Sequence, residues 1–135
     1  MQKVVFCFAL SCVSAIFVGC NPYKELAPVY GQVKLDGKPL SGVVVVMTPV
    51  GGRPSYGRTN SEGKFEMESS PTEKGVKVGT AKVSFDPFSG EASDNPADSA
   101  PSPEVKKLPK RYFSSFMDFE VEAKQNALDI VVKEK

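Results

Sequence analysis

Short segments in which apolar and polar residues alternate recur from Val29 to the end of the chain, and this period of two constrains the fold most. The segment 29–35 (VYGQVKL) places its apolar residues on one face and Tyr30, Gln32 and Lys34 on the other. A side-chain period of two is typical of a half-buried β-strand. After residue 28 no stretch carries a convincing helical period, so the pattern predicts an all-β fold.

About seven segments have this strand character. They are residues 29–35, 42–48, 55–59, 64–68, 76–86, 116–124 and 128–132. The segment 42–48 is apolar on both faces, which predicts an interior strand. We predict hairpins across Asp36-Gly37, across Asn60–Gly63, and across Gln125-Asn126 at the end of the chain. Seven short strands predict a β-sandwich or a related barrel.

Residues 1–19 have the composition of a signal peptide. A single charge at Lys3 precedes an uninterrupted run of apolar and small residues from Val4 to Val18. This run of about fifteen residues is shorter than the roughly 20 residues that a helix needs to span a bilayer. The segment is therefore excluded from reasoning about the fold.

The signal peptide ends in Gly19-Cys20, and polar residues follow at once. This ending resembles the bacterial lipobox, in which a small residue precedes a cysteine that is thioether-linked to diacylglycerol before cleavage. Phe17 departs from the pattern, since the lipobox prefers Leu at that position. We predict cleavage between Gly19 and Cys20, lipidation of Cys20, and a tether over 20–28. A secretory peptide cut nearby and an uncleaved anchor are the alternatives.

The predicted lipid anchor implies a location in the cell envelope. Two or three acyl chains such as palmitate hold a domain firmly on a membrane, because each buried methylene contributes about 0.8 kcal/mol. Residue Asn21 is not the Asp that retains some bacterial lipoproteins at the inner membrane. Both the outer membrane and the periplasmic face of the inner membrane remain open as locations.

Composition argues against several function classes. The chain has 17 Lys and Arg against 16 Asp and Glu, so it lacks the cationic surface that nucleic-acid binding requires. It contains no histidine, and its three cysteines all lie within the first twenty residues. Histidine is the commonest general base and the commonest metal ligand, so the chain lacks both of these uses of it. We expect no catalytic apparatus, no metal and no cofactor.

Several polar groups nevertheless have to be weighed as site residues. We assign Asp36, Gly37, Asn60 and Gly63 to turns. The carboxylates that could bind calcium lack the spacing of a recognised calcium loop. They are Asp86, Glu91, Asp94 and Asp98.

Serine and glutamate side chains offer little chemistry in this composition. Ser114 and Ser115 have no histidine to activate them. A second set of carboxylates occupies outward strand positions, where we expect solvated charges. This set is Glu66, Glu68, Glu120 and Glu122.

Tyrosines are candidates for a sugar-binding or protein-binding surface. They are Tyr23, Tyr30, Tyr56 and Tyr112. We favour structural roles, and we expect Tyr112 to pack across one end of the sandwich. The segment 87–110 carries five of the eleven prolines among Ser, Asp and Ala, which predicts a long flexible loop.

Four motifs are similar to those of a known family. They are VKLDGKPL at 33–40, GVVVVMTP at 42–49, RTNSEGKF at 58–65 and GVKVGTAKVSF at 75–85. They resemble the carboxypeptidase regulatory-like, prealbumin-like (transthyretin-like) domain found in small planctomycete lipoproteins, and LPKRY at 108–112 resembles the tail of those proteins. The resemblance covers 29–135 and implies a Greek-key β-sandwich without catalytic activity. Asn60 replaces the usual Asp of the family, and it can make the same turn.

Two function classes follow. The first is a non-catalytic envelope lipoprotein, a tethered β-sandwich that is a structural or binding module for another envelope protein or a polysaccharide. The second is a periplasmic small-ligand carrier or enzyme with a pocket at one sandwich end. A deep pocket with convergent polar groups would favour the second class.

Overall fold

The computed structural model describes residues 25–86 and 103–134. The predicted signal peptide, Gly19, Cys20 and Tyr23 lie outside the described residues. The same is true of 87–102, which includes Glu91, Asp94 and Asp98.

Short strands dominate the described residues, with one helical turn and one 3₁₀ turn. The strands of the first half are β1 (Leu26–Ala27), β2 (Val29–Leu35), β3 (Lys38–Pro39), β4 (Val44–Pro49), β5 (Ser55–Arg58) and β6 (Lys64–Glu66). The second half contributes β7 (Glu68–Ser70), β8 (Glu73–Lys74), β9 (Val76–Lys77), β10 (Gly79–Phe85), the helical turn α1 (Pro103–Lys106), the 3₁₀ turn Lys110–Phe113, β11 (Met117–Val121) and β12 (Asn126–Val132). The prediction of an all-β chain is confirmed.

The strands form two main sheets. The larger sheet has the order β11-β10-β4-β5-β7-β8, and its pairings are all antiparallel. The smaller sheet has the order β12-β2-β3, with β6 also pairing with β2. Its β2–β12 pair is parallel and runs in unbroken register from Val29↔Asn126 to Leu35↔Val132. A short antiparallel pair of β1 with β9 lies beside them.

Apolar side chains from the inner faces of both sheets form one core. The smaller sheet contributes Val29, Val33, Leu128, Ile130 and Val132, while the larger one contributes Val45, Met47, Ala81, Val83, Phe85 and Val121. Each set occupies alternate positions of its strands, as the period of two requires. The two sheets therefore face each other as in a sandwich.

Two strand predictions agree with the structure in detail. The segment 29–35 is a single strand with Val29 and Val33 buried and Tyr30 exposed. The strand within 42–48 is interior, since β4 lies between β10 and β5. The hairpin at Asp36-Gly37 is also confirmed. Both of its residues have positive φ, of 49° and 84°, as a tight turn between twisted strands demands.

The predicted terminal hairpin is wrong. Strand β11 pairs with β10 in the larger sheet, whereas β12 pairs with β2 in the smaller one. The intervening residues cross from one sheet to the other around the buried Asn126. Its side chain hydrogen-bonds the backbone of Glu122, Lys124 and Pro28. Asn126 thus organises a crossing and does not form a two-residue turn.

The predicted hairpin across Asn60–Gly63 is wrong in its pairing. The turn itself is present, because Asn60 Oδ1 accepts the backbone N–H groups of Glu62 and Lys64. Its flanking strands, however, separate: β5 pairs with β4 and β7, and β6 pairs with β2. The alternation of apolar and polar residues shows which side chains of a strand share a face, but it does not show which sheet the strand joins. The sequence pattern therefore could not predict that β5 and β6 lie in different sheets.

The predicted tether and the predicted loop each contribute residues to the folded domain. Ala27, within the predicted tether 20–28, is fully buried and pairs with Val76 in the β1–β9 ladder. At the end of the predicted loop 87–110, α1 buries Val105, and Leu108 follows it into the core. The first strand of the described residues therefore begins at Leu26, the sixth residue after Cys20.

Candidate functional site

The sandwich has two ends, and strand β2 runs from one to the other. We call the end at which the described chain begins the tether end; it holds Glu25, Leu26, the turn 50–53 and Lys77. We call the opposite end the far end; it holds the Asp36-Gly37 turn, residues 103–113 and Lys133-Glu134. Each end carries a surface depression.

The far-end groove is built from three separate parts of the chain. Its walls are the β2–β3 hairpin, the end of α1 and the chain end after β12. The lining residues are Leu35, Asp36, Lys38, Pro39, Glu104, Lys107 and Glu134. The groove has a volume of about 210 Å³, and a more open depression of about 690 Å³ beside Lys133 shares Asp36, Lys107 and Glu134 with it.

Specific contacts hold these three walls together. The backbone N–H of Asp36 donates to Val132 O at 3.0 Å, which fixes the hairpin against β12. The buried Val105 and Leu108 anchor the helical turn to the core. Because each wall is attached to the sandwich, the groove is a preformed surface.

The charges of the groove are mixed. Asp36, Glu104 and Glu134 supply carboxylates, while Lys38 and Lys107 supply amines. All five residues are exposed, so these charges are solvated. Such a lining suits hydrogen bonding to a polar partner, whereas the binding of an apolar molecule needs a dry pocket.

A cluster of aromatic side chains packs against the core at the far end. The ring centroids of Phe85 and Phe116 lie 5.1 Å apart, and those of Tyr112 and Phe116 lie 5.2 Å apart with the rings edge to face. Such pairs contribute about 0.5–1.5 kcal/mol beyond burial. Tyr112 also stacks under the Arg111 guanidinium at 4.8 Å. The prediction that Tyr112 packs across a sandwich end is confirmed.

The hydroxyl of Tyr112 ties the chain end to this cluster. Lys133 N donates to it at 3.2 Å and Arg111 Nη2 donates to it at 3.3 Å. The backbone donor, and then the guanidinium, stabilise the phenolate, and they hold the pKa of Tyr112 below its ordinary value of 10.0.

The tether-end depression is also open, with a volume of about 480 Å³. Its lining is Glu25, Leu26, Arg53, Ser69, Glu73, Lys77 and Val78. Lys77 Nζ donates to Gly51 O at 2.9 Å and so fixes the turn between β4 and β5. Val50, the first residue of this turn, donates its backbone N–H to Thr80 O at 3.0 Å, and its side chain is 72% exposed.

The glutamates predicted to face outward are all exposed, and most have a simple partner. Glu66 accepts from Lys74 Nζ at 3.0 Å, and this contact raises the pKa of Lys74. Glu120 accepts from Thr80 Oγ1 at 2.7 Å, and Glu122 pairs with Lys124. The Glu68 carboxylate also acts on Lys74 and contributes to the raised pKa of that amine.

The remaining sequence candidates are dispersed. Tyr30 lies on the outer face of the smaller sheet and Tyr56 on the outer face of the larger one, 45% and 48% exposed. Ser114 and Ser115 are exposed beside the 3₁₀ turn. No group of three carboxylate or thiol residues suited to a metal occurs within 25–86 and 103–134. Because Tyr30 and Tyr56 lie on different sheets, the described tyrosines do not form one aromatic surface.

The sequence did not predict the far-end groove, because its lining residues do not form a binding motif along the chain. Lys107 and Glu134 stand in a predicted loop and at the chain end, and neither position carries a motif. The only available signal was the apolar pair Val105 and Leu108 within an otherwise polar segment. That spacing marks one buried helical face.

Comparison with known proteins adds no assignment. No family model matches the chain, and no curated protein matches it significantly in sequence. In the part of the chain that the structure describes, no helix is long and apolar enough to cross a bilayer.

Proposed function

We propose that this chain is a lipid-anchored protein of the bacterial cell envelope, a non-catalytic β-sandwich that binds another envelope protein or a polysaccharide. We also propose the Greek-key, prealbumin-like topology that the sequence motifs imply. The observation that carries the proposal is the short sequence separation between Cys20, at the end of the signal-like leader, and Leu26, where the first described strand begins. A compact domain so close to a lipidated cysteine is held at the membrane surface.

The far-end groove supports a role in binding. It lies at the end opposite the chain entry, so it points away from the anchor and is accessible to partners. Its alternating carboxylates and amines, including Asp36 and Lys107, offer hydrogen bonds to sugar hydroxyls or to a polar protein surface. The small-ligand carrier is less well supported, because the depressions at both sandwich ends are open and their charged lining residues are exposed.

Substitution of Cys20 tests the anchor. In a bacterium that processes lipoproteins, the wild-type protein should incorporate radiolabelled palmitate and sediment with membranes. The Cys20→Ser variant should incorporate none and should move to the soluble envelope fraction. Cys7→Ser and Cys12→Ser are matched controls, because these thiols lie inside the leader and their loss should leave labelling intact. The proposal fails if the wild type takes up no palmitate, or if Cys20→Ser is labelled as strongly as the wild type.

A further inference from the structure

The tether end of the sandwich carries an exposed apolar residue near the point at which the described chain begins. This residue is Val50, the first of the turn 50–53, and its 72% exposure is the largest among the exposed large hydrophobic residues of the described part of the chain. A single exposed apolar side chain is ordinary on a protein surface. Its position relative to the chain entry is what gives Val50 significance.

Three contacts fix that position. Leu26 pairs with Lys77 in the β1–β9 ladder, and Glu25 O accepts the backbone N–H of Val78 at 3.0 Å. Lys77 Nζ then donates to Gly51 O, the carbonyl next to Val50. The chain entry and the turn 50–53 are thus joined through one side chain.

The length of chain before Glu25 limits how far this end can lie from Cys20. Five residue steps separate Cys20 from Glu25, which spans at most about 18 Å even when fully extended. The seven residues of β2, which run from the tether end to the far end, cover about 23 Å. A lipid on Cys20 therefore holds Glu25 within about 18 Å of the bilayer, whereas the far end can extend about 23 Å beyond Glu25.

We propose that the tether end rests on the lipid surface, with Val50 inserted among the headgroups and the far-end groove held away from the membrane. This inference rests on the proposed lipid anchor. The occupant of the tether-end surface is a phospholipid bilayer, and the contact is mainly apolar. Arg53 and Lys77 line the tether-end depression, but Glu25 and Glu73 line it too and balance their charge. Half-buried Leu26 and Val78 add apolar surface to the same depression.

Site-specific fluorescence on the lipidated protein tests this orientation. Once the leader is cleaved and Cys20 carries its lipid, a cysteine introduced elsewhere is the free thiol available for labelling. The probe position is Val50→Cys, and the matched control is Lys38→Cys, an exposed residue of the far-end hairpin. Each variant is labelled with a nitrobenzoxadiazole dye and reconstituted into phosphatidylethanolamine and phosphatidylglycerol vesicles containing a headgroup spin-labelled lipid.

The expected result is that the spin label quenches the dye at residue 50 several-fold more than the dye at residue 38. The difference should persist in phosphatidylcholine vesicles and in high salt, because the contact is apolar. Equal quenching at the two positions would overturn the orientation, as would quenching at residue 50 that requires anionic lipid. A blue shift at residue 50 without quenching would also overturn it and would indicate that the dye is buried against a second copy of this chain.

Failure of the anchor gives a different result. If the lipid on Cys20 is absent, neither labelled variant stays with the vesicles on flotation, and both proposals fail together. If both variants float with the vesicles and only the quenching difference is missing, the anchor stands and the orientation alone is wrong.

Discussion

Individual residues decide where the backbones of this sandwich approach each other, and Gly31 is the clearest case. It pairs with Leu128 in the parallel β2–β12 ladder, and a Cβ built on Gly31 would lie within 1.7 Å of Leu128 O. No backbone atom can tolerate that distance. Glycine is required here by close approach and not by turn geometry.

Gly31→Ala should therefore destabilise the domain by about 3 kcal/mol, because the two strands must separate to admit a methyl group. Gly37→Ala is the matched control. A Cβ on Gly37 meets nothing within 4 Å, and the cost there comes only from its positive φ, about 1 kcal/mol. Urea denaturation of both variants measures the difference. Equal losses of stability would contradict the close approach of β2 and β12.

Asn126 is the second residue with a decisive role. Its amide donates to the carbonyls of Lys124, Glu122 and Pro28 at 2.7, 3.0 and 3.3 Å, and its oxygen accepts Glu122 N at 2.9 Å. Asn126→Ala should cost about 2 to 4 kcal/mol, since it leaves several part-buried backbone groups unpaired. Asn60→Ala, in an exposed turn with two such bonds, should cost less. Thermal unfolding of both variants tests this order, and a reversed order would refute the role of Asn126.

Tyr112 gives a prediction about pH. Since the pKa of Tyr112 in the folded state lies below 10.0, the phenolate stabilises the fold above pH 10, and this contribution disappears as the pH falls through the lowered pKa. In a tyrosinate absorbance titration, Tyr112→Phe should remove a component that titrates below 10.0. Tyr56→Phe should leave that component in place. A titration that is identical in the wild type and in Tyr112→Phe would contradict the hydrogen bond from Lys133.

At the scale of elements, the distribution of strands between two sheets is what holds the core together. Strands β11 and β12 are consecutive, yet they lie in opposite sheets, so the crossing between them closes one side of the sandwich. Strand β12 brings Leu128, Ile130 and Val132 into the core and pairs only with β2 among the described strands. A chain without β12 would expose the core side chains that β12 covers.

Truncation tests the importance of β12. A chain that ends at Gln125 loses three buried side chains worth about 2 kcal/mol each, which approaches the whole stability of a small domain. It should show no cooperative thermal transition by circular dichroism. A chain that ends at Lys133 keeps β12 and its bond to Tyr112, and it should unfold like the full-length domain. Cooperative unfolding of the shorter chain would show that β12 is dispensable.

The elements differ in how far the sequence could predict them. Strand β2, the interior position of β4 and the Asp36-Gly37 hairpin follow from local pattern and turn chemistry, which depend on neighbouring residues alone. The separation of β11 from β12 depends on which distant strand each one meets, and a period of two carries no such information. The far-end groove forms only when three distant segments of the chain come together, so no local motif predicts it.

At the scale of the whole molecule, the proposals concern an anchor, an orientation and a binding surface. The proposed anchor is a lipid on Cys20, the proposed orientation places the tether end on the bilayer, and the proposed binding surface is the far-end groove. Function resides in such sites and not in the sandwich scaffold, which tolerates many uses. The lipid on Cys20 is the claim on which the other two depend.

The most direct test is the intact mass of the protein purified from bacterial membranes with mild detergent. The account predicts a polypeptide that begins at Cys20, without residues 1–19, and that carries the added mass of a diacylglyceryl group, localised to Cys20 by fragmentation. A mass that includes the leader, an N-terminus at another residue, or a Cys20 without lipid would contradict it.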